Sequence, residues 1–225
     1  ALTEYLQKAY QNRHATYAKK RAETARLIAL DGCFTRVAAG LINPQNQVSA
    51  LLFLRTHAMF RASCEHAMAG QIPETFNIQR ACLECAGYAL HIAKTPGADF
   101  TWLKRHDDED TLKAVKQMFT VANVKLTIGK ADKKGLEVFE RLYQDAIDNG
   151  APPNERAITG SARMIEGEGK IEIQQMYLQG DSVQLDFALI STARVGVCAL
   201  QILQDAFPER FALLGVKDEI LVLRR

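Results

Sequence analysis

Residues 44–94 read PQNQVSALLFLRTHAMFRASCEHAMAGQIPETFNIQRACLECAGYALHIAK, and the fold turns on how this stretch is punctuated. On both sides of Gly70-Gln71-Ile72-Pro73 the apolar residues recur at three- and four-residue spacing, the period of a helix. Asn43 before Pro44 reads as a helix start, because the Asn side chain can accept an orphan amide and proline at the first helical position loses no hydrogen bond. Gly70 supplies a left-handed stop near Ala69, and Pro73 opens a second helix that ends at about Lys94, before Thr95, Pro96 and Gly97. A link this short forces the two helices to lie antiparallel. The chain is therefore expected to be all-α, a multi-helix bundle of long antiparallel helices.

Outward from this hairpin the same signals continue. A first helix capped by Thr3 carries Tyr5, Leu6, Tyr10, Tyr17, Leu27 and Ile28 among charges, with a bend or break expected near Gly32. Phe100 to Leu103 form a short turn of helix around Trp102, and Asp107 to Asp110 place negative charge at the start of a helix reaching about Ile128. Asp132 to Asp148 reads as another helix, followed by a long loop from Asn149 to Ser161 that contains Pro152, Pro153 and Asn154. Two short alternating segments flank Gly167 and Gly169, the pattern of one small β-hairpin inserted near residues 162–176. From about Ser182 to Ala206 the chain is apolar on nearly every side, which places that helix in the middle of the bundle. Neither a linker nor a repeat divides residues 1–225, read as a single helical domain.

At 225 residues and 48% hydrophobic content the chain can fill a sizeable core without a staple. Its 28 basic and 26 acidic residues, net +2, are too balanced for a dedicated duplex-DNA binder, and nucleic acid is not the expected partner. Five cysteines in apolar surroundings read as reduced core thiols, which points to the cytoplasm. No uninterrupted apolar run of bilayer length occurs, so no membrane partner is expected.

Charge inside apolar helices is the unusual feature. His57, Arg61 and Glu65 share one face of their helix, and Arg80, Glu84 and His91 share one face of the next. The short link sets Arg61 across from Ala81 and Glu65 across from Asn77, so the stripes are expected to meet as Arg61 with Glu84 and Arg80 with Glu65, joined by Arg194. One reading is an ion network that fixes bundle register. The other is a charged interior face on which Arg61, Glu65, Arg80, Glu84 and Arg194, with Asn154 of the long loop, bind a small anionic ligand or a protein partner. A purely structural interaction module with an apolar homodimer face is a third reading.

Metal and nucleotide chemistry are weakly signalled, and no cofactor is expected. Cys82-x-x-Cys85 lies inside a helix rather than at its start, so the dipole that activates such thiols is missing; Cys64 and His57 would have to complete a zinc site. Gly167-Glu168-Gly169-Lys170 lacks the first glycine and the Ser or Thr of a phosphate loop and reads as a hairpin turn.

Arg61-Ala62-Ser63-Cys64-Glu65-His66 resembles the Arg-x4-6-His signature of HEPN ribonucleases. That resemblance implies a helical homodimer cutting RNA without metal, with His66 as general acid or base and Arg61 stabilising the developing charge. Ile78 to Tyr88 and Tyr143 to Glu155 resemble stretches of uncharacterised bacterial helical-bundle proteins, about a quarter of the chain. Those relatives read Gly-Ala-His-Pro-Asn where this chain has Pro152 at the His position. This second resemblance implies a helical fold and no particular activity.

Overall fold

The computed structural model describes residues 1–150, 154–167 and 169–224. The chain is all-α with a small β insertion. In order come α1 (Leu2–Lys19), α2 (Arg21–Ala39), α3 (Gln47–Ala69), α4 (Ile72–Lys94), α5 (Ala98–Leu103), α6 (Glu109–Met118), α7 (Val121–Ala131), α8 (Lys133–Gly150) and α9 (Glu155–Thr159). The hairpin β1 (Ala162–Gly167) and β2 (Lys170–Gln175) follows, then α10 (Val183–Ala206), α11 (Pro208–Leu213) and α12 (Val216–Leu223).

The antiparallel pair α3 and α4 forms the centre, with α10 across both and α8 and α7 flanking α4. Phe53, Phe60, Phe76, Leu83, Leu90, Leu189 and Leu200 are fully buried between these helices. Close approach is possible because α10 carries Gly196 where it crosses α3. A Cβ there would lie 2.5 Å from Cε2 of Phe60. A polar cluster sits inside this core: Gln79 of α4 donates to Thr192 and accepts from Ser191, both of α10, each bond 2.9 Å long. All three side chains are buried, and the mutual bonds remove the cost of leaving an amide and two hydroxyls dry.

Several helix boundaries differ from the sequence expectation. The first helix breaks at Lys20, whose backbone leaves the helical region (φ −101°, ψ 56°), and α2 then runs unbroken through Gly32. Lys20 marks the break because its ammonium reaches Asp181 at 2.8 Å and Asp186 at 2.7 Å, tying it to the start of α10. α3 begins after Asn46, not at Pro44: the side-chain Oδ1 of Asn46 accepts from Ser49 N at 2.9 Å, and its side-chain amide nitrogen donates to Asp99. The helix expected to reach Ile128 is two helices, because Thr120 caps a new start by accepting from Asn123 N. By length and mean hydropathy α10 is apolar enough to cross a bilayer, yet 72% of its most apolar window is buried within the bundle, the setting of a core helix.

Gly70 decides where the hairpin is rooted. It adopts φ +79°, which favours glycine, and a Cβ there would lie 2.0 Å from the Gln179 carbonyl oxygen. Gln179 N donates to Gly70 O at 2.8 Å, and Asn12 of α1 donates to the carbonyls of Ala69 and Gln179. The chain leaving β2 is thereby pinned to the α3–α4 turn. The hairpin itself stands off the bundle, with every side chain of β2 exposed.

Candidate functional site

The two charged stripes do not face each other. Among the described residues no ion pair joins α3 to α4, so neither Arg61–Glu84 nor Arg80–Glu65 forms. The line of contact between these helices is filled by small and apolar groups, with Ser49 donating to Ala89 O and the Cys82 thiol to Thr56 O. The charges are rotated to the flanks, where burial costs less.

On the α3 flank the hub is Asp31 of α2. Arg61 grips it with two bonds, Nε to Oδ1 at 2.6 Å and a terminal nitrogen to Oδ2 at 3.0 Å, and also reaches Thr35. His57 Nε2 lies 2.6 Å from the same Oδ1, and its ring stacks on Phe34 at 5.1 Å. The bonds from Arg61, aided by those from His57, hold the Asp31 carboxyl below its usual value despite partial burial. Burial pushes the His57 pKa down, outweighing the pull of Asp31, so the imidazole is neutral and donates Nε2–H. Glu65 pairs with Arg13 of α1 at the surface.

On the α4 flank Arg80 and Glu84 pair within their own helix at 2.9 Å. Tyr143 of α8 donates to the same Glu84 oxygen at 2.8 Å, and the Arg80 guanidinium lies over its ring at 5.4 Å from the centroid. The Arg80 and Glu84 side chains are about 40% exposed, far from a sealed interior, while Tyr143 is buried. Arg194 is exposed on α10, a third direction, and belongs to neither group. His91, expected on the Arg80 face, is buried instead and bonds Thr127 Oγ1 of α7 at 2.8 Å. Because Thr127 spends its proton on Asn123 O, His91 is the donor from Nδ1.

The ribonuclease pattern places Arg61 in the grip of Asp31, whereas His66 Nδ1 lies 3.1 Å from Ala62 O of its own helix. Five residues apart, the two side chains leave α3 on different faces. The zinc reading finds no support: among the described residues no three His, Cys, Asp or Glu side chains gather to hold a metal. Burial pushes the Cys64 and Cys198 thiols up to about 12 and Cys82 well above its ordinary value, so none is a poised nucleophile.

Of the long loop, Ala151, Pro152 and Pro153 lie outside the described residues, and with them the Pro152 substitution. Asn154 is a helix cap: its side chain accepts from Arg156 N at 3.2 Å and starts α9, which packs against β1. Beneath α9 a cavity of about 90 Å³ is lined by Phe76, Asn149, Arg156, Gln179 and Phe187 among others, mostly apolar surface that none of the stripe residues reaches. Asn154 therefore helps seat the hairpin.

The hairpin is the feature that the charge-centred reading of the sequence passed over. Its register is Gly167↔Lys170 through Ala162↔Gln175. Pleating puts Met164, Ile171 and Ile173 on one face, and they are 75%, 66% and 71% exposed. The signal was present in the alternation of KIEIQQ from Lys170 to Gln175, but nothing local says whether such a face meets the core or solvent.

These observations define the protein as an all-α bundle that carries one solvent-exposed hairpin with Met164, Ile171 and Ile173 bare on one face. In comparisons with protein-family models, curated proteins and solved structures, nothing matches the chain.

Proposed function

We propose that the protein is an interaction module whose helical bundle presents the hairpin to a protein partner. The bare apolar face of Met164, Ile171 and Ile173 carries this reading. An isolated two-stranded hairpin is marginal in water, and three or more strands or a packed face are needed to hold one. A pinned root at Gly70, a capped α9 and an uncovered apolar face together fit a docking element. The charged side chains serve the scaffold: each of Arg61, Glu65, Arg80 and Glu84 is matched by a neighbour at the surface, so neither Arg61 nor Arg80 is left free to recruit an anion. Arg194 has no ion-pair partner among the described residues and does not make a site by itself. The unpaired thiols Cys33, Cys82 and Cys198, buried and free, support work in a reducing compartment.

The test uses an apolar dye whose fluorescence rises on hydrophobic surface. The parent chain is expected to bind it, and the Ile171→Lys/Ile173→Lys variant to lose most of the signal while the melting temperature of the bundle stays within about 2 °C, since exposed positions contribute little to the core. A parent chain without dye binding, or a variant that melts far earlier, would mean that the face belongs to the protein's own core.

A further inference from the structure

We infer that the partner of the hairpin is a second copy of this chain, joined edge to edge through β2 about a twofold axis at Ile171. The inference rests on the hairpin being a docking element and adds what docks there.

The backbone defines the open edge. Met176 N donates to Ser161 O at 2.7 Å, continuing the ladder one step beyond Ala162↔Gln175. Bonded and non-bonded pairs alternate along an antiparallel ladder, so Lys170, Glu172 and Gln174 spend their backbone groups on β1. Ile171, Ile173 and Gln175 turn theirs away. α9 contacts β1, the other strand of the hairpin, and the start of α1 borders β2 only at its root, beside Gln175. Unpaired edges of this kind are templates for another strand.

Charge and shape select the occupant and the register. The hairpin carries Arg163 and Lys170 against Glu166, Glu168 and Glu172, one net negative charge, so an identical edge is met favourably only in a register that sets Lys170 against a carboxylate. In a twofold antiparallel pair each residue meets one at an equal distance beyond the axis. Centring on Glu172 would set the two Glu172 carboxylates against each other, and centring on Ile173 would set Lys170 against Met176 and Glu172 against Gln174. Centring on Ile171 sets Lys170 opposite the other copy's Glu172, twice, with the two Ile171 residues exchanging hydrogen bonds between them.

The same register keeps the bundles apart. Ile171 lies next to the turn, and Gln175, at the root of the hairpin, is about 13 Å away at the rise of a strand. The two bundles therefore sit beyond opposite ends of a four-stranded sheet. That sheet joins the two apolar faces into one, and four strands satisfy the minimum that two do not.

Sedimentation equilibrium of the full chain at low salt tests this, the monomer being 25.0 kDa. The parent is expected to show a reversible dimer, and Lys170→Glu to weaken it by about tenfold or more by opposing like charges. The double exchange Lys170→Glu/Glu172→Lys restores opposite charges across the axis and is expected to return the dissociation constant to within about threefold of the parent. Ile171→Pro, which removes an outward N–H and spares the ladder to β1, is expected to give a monomer with unchanged helical circular dichroism. A parent that stays monomeric, or a dimer indifferent to Lys170→Glu, or a double exchange that fails to restore association, overturns the inference. Dye binding separates the two levels: a monomeric parent that still binds dye retains the docking face and loses only this partner, whereas a parent that binds none loses both.

Discussion

Asp31 does more structural work than any charged residue that the sequence brings forward. It sits one position after the apolar run Leu27-Ile28-Ala29-Leu30, and its carboxylate joins α2 to both His57 and Arg61 of α3. Asp31→Asn keeps the size but weakens three charge-assisted bonds, two from Arg61 and one from His57; after allowing for solvent at a partly exposed pair, the expected loss is about 1–2 kcal/mol by urea unfolding. The pH dependence follows from the shifts. The His57 and His91 values are both lowered from 6.5, so the unfolded chain takes up protons first as pH falls below 6.5. Their contribution is complete above that value and is lost on acidification through the folded values. Asp31, lowered from 3.8, adds a second loss at more acid pH. The urea midpoint should therefore drop between pH 7.5 and 5; a flat profile would contradict burial of the two imidazoles. Arg80→Met is expected to cost less than about 1 kcal/mol, because Arg80 and Glu84 form an exposed pair within one helix.

At the scale of elements, the α3–α4 hairpin, the central α10, α8 and the β-hairpin were all legible, because glycine and proline mark their ends and periodicity marks their length. The breaks at Lys20 and at Thr120 were not, since each depends on a partner distant in sequence or on a cap with no proline or glycine beside it. The rotation of the charged stripes was missed for a related reason. Spacing shows which residues share a face, but not which neighbour that face meets. Gln79 offered a better clue, a lone amide within the buried stripe Phe76, Leu83, Ala86 and Leu90. Gly196 ties the elements together, and Gly196→Ala would drive a methyl into the Phe60 ring. The expected cost is about 1–3 kcal/mol, read as a lower thermal midpoint with the helical spectrum intact.

For the whole molecule, the division is between a bundle that pairs Arg61, Glu65, Arg80 and Glu84 among its own helices and a hairpin that leaves its apolar face and one edge open. If that division holds, replacing residues 162–175 with a short Gly-Ser link should leave the bundle's helical content and melting temperature nearly unchanged while abolishing self-association. A fall of more than about 5 °C would place the hairpin within the cooperative core. The most direct measurement is amide hydrogen exchange resolved to single residues in β2. Ile171 and Ile173 turn their N–H groups away from β1, so nothing among the described residues of one chain protects them. The account expects both amides to exchange fast in dilute protein and to slow together as concentration rises, while Glu172 and Gln174 stay comparatively protected throughout. Exchange at Ile171 and Ile173 that is equally fast at every concentration, or equally slow at every concentration, would contradict it.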